Sequence, residues 1–143
     1  AIFSRIEPDN VQKGLGWEPI DSEGRWIQAD YAGLSVVSLY MPSGSSGEER
    51  QAIKFALMDK LMPHLRALRR RKREYIICVV NPHADQYTWW SNRGRARENN
   101  VGWRLDYMAV TPGLQPKVRA ESVYRDERFS DHAPLTMDFE WEL

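Results

Sequence analysis

The chain holds 143 residues, 42% hydrophobic and 28% charged, enough for one globular domain with a real core. Twenty Lys plus Arg offset twenty Asp plus Glu, so net charge alone names no polyanionic partner. A lone cysteine, Cys78, excludes an internal disulfide and fits a reducing compartment, and neither a membrane span nor a signal peptide is visible.

The charges are unevenly placed. Residues 60–80 carry seven basic side chains and one acidic, whereas residues 1–59 carry five basic and nine acidic. "AIFSR" reads as a strand already under way at Ala1, so the start of the domain is expected to lie upstream. "RWIQADY" and "LSVVSLYMP" are strand candidates separated by Ala32-Gly33, which predicts an antiparallel hairpin. After the Ser/Gly loop that follows Pro42, Ser46 with Glu49, or Ser45 with Glu48, offers a capping box. Ile53, Leu57, Leu61, Leu65 and Leu68 then form the apolar stripe of one long helix, in which Pro63 is a candidate kink.

The helix closes in "RALRRRKR". That run reads either as a phosphate-binding patch or as solvated cations favouring the negative end of the helix dipole; the second is the commoner role. "EYIICVV" predicts a buried central strand. "QYTWW", "WRLDYMAV" and "VRAESVYR" are further strand candidates. The last is "LTMDFEW", where Leu135, Met137, Phe139 and Trp141 alternate with polar residues. Seven or so strands around one long helix predict a layered α/β sandwich.

Chemistry concentrates in two places. Ser130-Asp131-His132 stands at the entrance to the last strand, where such a triplet is first of all a hydrogen-bonded turn. "QYTWWSNRGRARENNVGWRLDYMAV" holds Trp89, Trp90 and Trp103, interleaved arginines, and Asp106 inside an apolar run. An aspartate there needs a partner, and His132 is the candidate, because a carboxylate fixes an imidazole's tautomer. Arginines among aromatic rings suit nucleic acid as well as plain packing, and for Trp90 packing is the expectation.

Together "SLYMPSGSSGEER", "YTWWSNRG", "NVGWRLDY", "TPGL" and "YRDERFSDHAPL" resemble the exodeoxyribonuclease III family of abasic-site endonucleases, within the endonuclease/exonuclease/phosphatase superfamily. The resemblance covers nearly the whole chain. It implies a DNase I-like αββα sandwich, one partial domain over 1–143, and metal-dependent incision of duplex DNA 5′ to abasic sites with 3′-end processing. It assigns Tyr40, Asp106 and His132 to catalysis and Asp131 with His132 to a metal. Trp89, Asn100, Trp103 and Leu105 fall at the pocket for a flipped-out abasic sugar. It further implies Mg²⁺ (or Mn²⁺) as cofactor, DNA with abasic sites or 3′ ends as partner, a monomer, and a bacterial cytoplasmic setting. One departure stands out. The family continues "EYIIC" into a Gly-Asp-x-Asn motif, whereas here Cys78 runs into "VVNPHADQYTWW", so a sequence junction is expected near 78–80 and Asn81 is not the motif's asparagine. A non-catalytic DNA-binding remnant of the family, or a phosphatase of the same fold, are the alternatives.

Overall fold

The structure, a computed structural model, describes residues 1–42, 47–78 and 87–142. They divide into two compact units, 1–77 and 78–142.

In the first unit, β1 (Asn10–Lys13) pairs antiparallel with β2 (Trp26–Tyr31), and β2 pairs antiparallel with β3 (Leu34–Leu39). The β2–β3 register runs from Trp26↔Leu39 to Tyr31↔Leu34, leaving only Ala32 and Gly33 in the turn. Gly33 has φ 75°, a left-handed conformation that a residue without Cβ adopts at little cost. A short helix, α1 (Glu18–Asp21), lies between β1 and β2. The long helix α2 (Glu48–Arg69) then crosses to β4 (Glu74–Cys78), which runs parallel to β3. That is the crossover a parallel pair requires.

The α2 stripe faces inward as its spacing predicts. Leu57 and Leu68 are buried, Ile53, Leu61 and Leu65 half-buried, while Phe55, Met58 and Met62 on the other faces are exposed. The helix is continuous through Pro63. Its N-cap is Gly47 and makes no side-chain cap; Ser45 and Ser46 lie outside the described residues. The other large buried side chains of this unit include Trp26, Tyr31, Leu34 and Tyr75.

One polar cluster inside this unit is closely paired. Asp30 accepts from Ser35 Oγ (2.6 Å), Gln28 Nε2 (2.8 Å) and Asn10 Nδ2 (3.0 Å). Arg73, the last cation of the basic run, donates to the carbonyls of Tyr31 and Leu34 and to Ser35 Oγ at 3.1 Å. So the run does more than face solvent: its final guanidinium ties the hairpin turn to the start of β4. Burial pushes the Asp30 carboxyl up, but these hydrogen bonds and the Arg73 charge outweigh it and hold the group below the usual range.

The second unit contains β5 (Met108–Val110), a 3-10 turn (Gln115–Lys117), and β6 (Val118–Val123) paired antiparallel with β7 (Leu135–Phe139). Leu135, Met137, Phe139 and Trp141 are half-buried, while Thr136, Asp138 and Glu140 are exposed, matching the period-two reading. Three strand expectations fail. "AIFSR" forms no strand, "QYTWW" contributes only the isolated bridges of Trp89 to Trp103 and His132, and "WRLDYMAV" is extended strand only over β5. β-forming residues become strand only against a neighbour that continues the ladder. The expected junction touches residues 79 and 80, which lie outside the described residues, as does Asn81.

Candidate active site

Three segments of the second unit meet at Thr88, which is 1% exposed. Its backbone N–H and that of Trp89 donate to the Trp103 carbonyl, and Trp103 N–H returns a bond to the Trp89 carbonyl at 2.8 Å. On the other side Ala133 N–H donates to the Thr88 carbonyl (2.8 Å) and Trp90 N–H to the Asp131 carbonyl (3.0 Å). The Thr88 hydroxyl oxygen accepts the backbone N–H groups of both Leu105 and Asp106, each at 3.0 Å. Thr88 thus fixes the strip that carries Asp106 beside the strip that carries His132. Gly102 allows the close approach: a Cβ there would come within 2.5 Å of the Trp89 carbonyl oxygen and 2.8 Å of the Trp90 ring. Thr88 was not singled out in the sequence, although a small hydroxyl amid "YTWW" is a polar group that must find partners when buried.

The two candidates predicted to pair are brought together. His132 Nδ1 lies 2.7 Å from Asp106 Oδ2. The reason differs from the one the sequence suggested. Asp106 is 41% exposed and His132 44%, so the carboxylate is not a buried charge requiring rescue; backbone placement by Thr88 makes the pair. With Nδ1 donating to Asp106, the neutral ring presents the Nε2 lone pair; the imidazolium would present an N–H there instead.

The Ser130 hydroxyl accepts His132 N–H at 2.9 Å, so the triplet is also the local turn its residues favour. Asp131 beside it accepts the Trp89 indole N–H at 2.9 Å. That bond, first among the causes, holds the Asp131 carboxyl below the usual range; desolvation, the next cause, opposes it, and its own backbone and the His132 and Arg128 charges add to the lowering.

Trp89 and Trp103 meet edge to face, ring centroids 6.2 Å apart at 64°. Trp103 is 67% exposed and Leu105 48%, so they form an open aromatic and aliphatic ledge. Two hollows of about 340 and 330 Å³ are lined by first-unit residues alone. Trp90 is fully buried, as packing predicts. Asn100 adopts φ 50°, and its Oδ1 accepts from the Trp90 indole (3.2 Å) and from Arg125 (2.8 Å), which gives this side chain a supporting place behind the ledge. Tyr40 belongs to the first unit. It follows β3, is 70% exposed, and carries the Arg25 guanidinium 4.9 Å from its ring centroid.

No group of three or more His, Cys, Asp or Glu suited to a metal ion occurs among the described residues. Asp131 and His132 Nε2 are two donors, and His132 Nδ1 is already committed to Asp106. The described residues therefore do not make a metal site by themselves.

No family model matches the chain. It is 27% identical to the exodeoxyribonuclease of Bacillus subtilis, over 96% of this chain and 72% of that protein. It is also 27% identical to the DNA repair nuclease APEX1 of Danio rerio, over 96% of this chain but only 59% of that one. Both alignments run over 183 positions although the chain has 143 residues, so each relative carries internal residues without a counterpart here. In fold the chain matches the Neisseria 3′ phosphatase NExo bound to a product DNA hairpin, with TM-score 0.82, 22% identity, and coverage of 96% of this chain and 73% of that one. An AP endonuclease from Archaeoglobus fulgidus gives TM-score 0.80 at 22% identity, over 94% of this chain and 72% of that one. The architecture is thus the DNase I-like fold of these nucleases, present in part. Sequence and fold point the same way: the chain is similar to exodeoxyribonucleases and AP endonucleases, the proteins of the exodeoxyribonuclease III type.

Proposed function

We propose that the chain is the core of a DNA-repair phosphodiesterase that incises duplex DNA 5′ to abasic sites and processes 3′ ends. The observation that carries this reading is the 2.7 Å Asp106–His132 pair, standing in the same unit as the exposed Trp103. Hydrolysing a phosphodiester requires hydrogen bonds to phosphoryl oxygens that gain charge in the transition state. As an imidazolium, His132 supplies one from Nε2–H, with Asp106 holding the ring in the productive orientation. Tyr40, in the first unit, is proposed as a further catalytic residue on the strength of the family resemblance. A sugar without a base unstacks cheaply, and Trp103 with Leu105 and Trp89 offers it an apolar wall that a paired nucleotide does not reach. Asn100 supports that wall.

Nucleases of this family depend on a metal. We assign Mg²⁺, with Asp131 as the ligand this chain contributes; the other ligands would come from outside the described residues, and the roles above do not depend on it. The segment that carries Gly-Asp-x-Asn in relatives is proposed to be absent near 78–80. The length of the alignments and the unit boundary after Ile77 support that reading. A monomer acting in the cytoplasm fits it.

The second reading is a DNA-binding remnant without catalysis, since the described residues alone do not assemble a metal site. Cleavage of an end-labelled duplex with one abasic analogue separates the two. A nuclease nicks this strand, spares the intact duplex and stops on addition of EDTA; a remnant binds the abasic duplex and leaves it whole.

A further inference from the structure

The first part of the connection between β6 and β7, residues 124–130, leads directly into Asp131 and His132, and no DNA-contacting role above falls on it. Its composition is unusual for a connection: Tyr124 and Phe129 stack on one another with centroids 5.9 Å apart and planes 24° apart, and Phe129 is 67% exposed. Arg125 and Arg128 alternate with them and are also exposed.

The loop is held from several sides. Tyr124 N–H donates to the Pro134 carbonyl at 2.9 Å, closing its base. Arg125 donates to Asn100 Oδ1 and lies 5.4 Å over the buried Trp90 ring. Arg97, itself 4.9 Å over that ring, donates to the Ser130 carbonyl at 3.3 Å. Arg128 donates to Asn92 Oδ1. A loop so anchored presents its exposed ring with little ordering left to do on binding. Each guanidinium has five donors, and the bonds to Asn100 and Asn92 use only part of that set.

We propose that this loop is a second nucleic-acid contact, in which Phe129 stacks on an unpaired base and Arg128, with Arg125, holds the adjoining phosphate of the strand entering the site. An aromatic face beside guanidinium groups is the combination that unpaired strands take, because every base has a π-face and every linkage a phosphate. Asp126 and Glu127 in the same loop oppose a long phosphate track, so the contact covers one nucleotide rather than a duplex groove. The substrate class is therefore a frayed or overhanging 3′ end. This deepens the phosphodiesterase reading and rests on it.

The test uses the full chain in EDTA with two fluorescein-labelled hairpins, one blunt and one with a 3′ oligothymidine overhang, read by anisotropy across a salt series. Phe129→Ala should weaken overhang binding about tenfold, leave blunt binding unchanged, and be restored by Phe129→Trp. Arg128→Gln should lower the salt slope for the overhang by about one. Overhang affinity unchanged in Phe129→Ala overturns the proposal and leaves the nuclease reading standing. Equal losses on both probes, with a lowered thermal midpoint, would show a purely structural ring and also overturn it. A wild-type chain that binds neither probe sinks the proposal together with the function beneath it.

Discussion

At the scale of single residues, Trp89 has two duties that a smaller ring would separate. Its face meets Trp103, and its indole N–H reaches Asp131. Trp89→Phe keeps an aromatic ring and removes only the donor. The Asp131 carboxyl should then titrate at a higher pH, nearer the ordinary carboxylate range, in a ¹³C NMR titration. An unchanged titration would mean that the indole bond does not persist in solution. His64 offers an independent check on the first unit. It meets Trp26 edge to face at 5.3 Å, and its Nε2 is buried without a partner among the described residues. Burial, and then the Arg71 charge, hold this imidazole below its ordinary value of 6.5. The unfolded ring therefore takes up a proton that the folded ring resists. Its contribution to stability is full above pH 6.5 and is lost as pH falls from there toward the lowered folded value. Urea denaturation of His64→Phe at neutral and mildly acidic pH should show a flatter stability profile than the parent chain.

At the scale of elements, the sequence was most legible where one periodicity dominated. The Ala32-Gly33 hairpin, the α2 stripe and the alternation of β7 all follow from local pattern, because each buries one face against a single neighbour. The segments around Trp89 and Trp103 were misread as strands because their order comes from isolated bridges and from one side chain. Asp106 looked buried for the same reason; its apolar neighbours Leu105 and Tyr107 are themselves exposed, so apolar flanks did not signal a core. The partnership of Asp106 with His132 was legible through its chemistry, while Thr88, which places it, had no signal beyond being a hydroxyl among aromatics. Thr88→Val preserves shape and removes the acceptor of two backbone N–H groups. The change should cost about 2 kcal/mol of stability in urea denaturation and lower turnover further than that loss explains. Turnover that tracks the folded fraction alone would reduce Thr88 to packing.

At the scale of the molecule, the chain aligns over nearly its full length with nucleases that are longer inside as well as overall. The acid–imidazole pair and the aromatic ledge stand in one unit, and Tyr40 in the other. The extra residues of the relatives were legible only through family resemblance, since nothing in composition or periodicity marks a segment that is not there. The central claim is that Asp106 acts through His132 on a phosphodiester. Single-turnover cleavage of an abasic duplex by Asp106→Asn, with duplex binding measured in parallel, tests it most directly. The rate should fall by about a hundredfold or more with affinity changed by less than about threefold, because the geometry survives while the imidazole loses its orientation and charge partner. Wild-type cleavage rates in Asp106→Asn, or a rate that falls only as far as binding does, would contradict it.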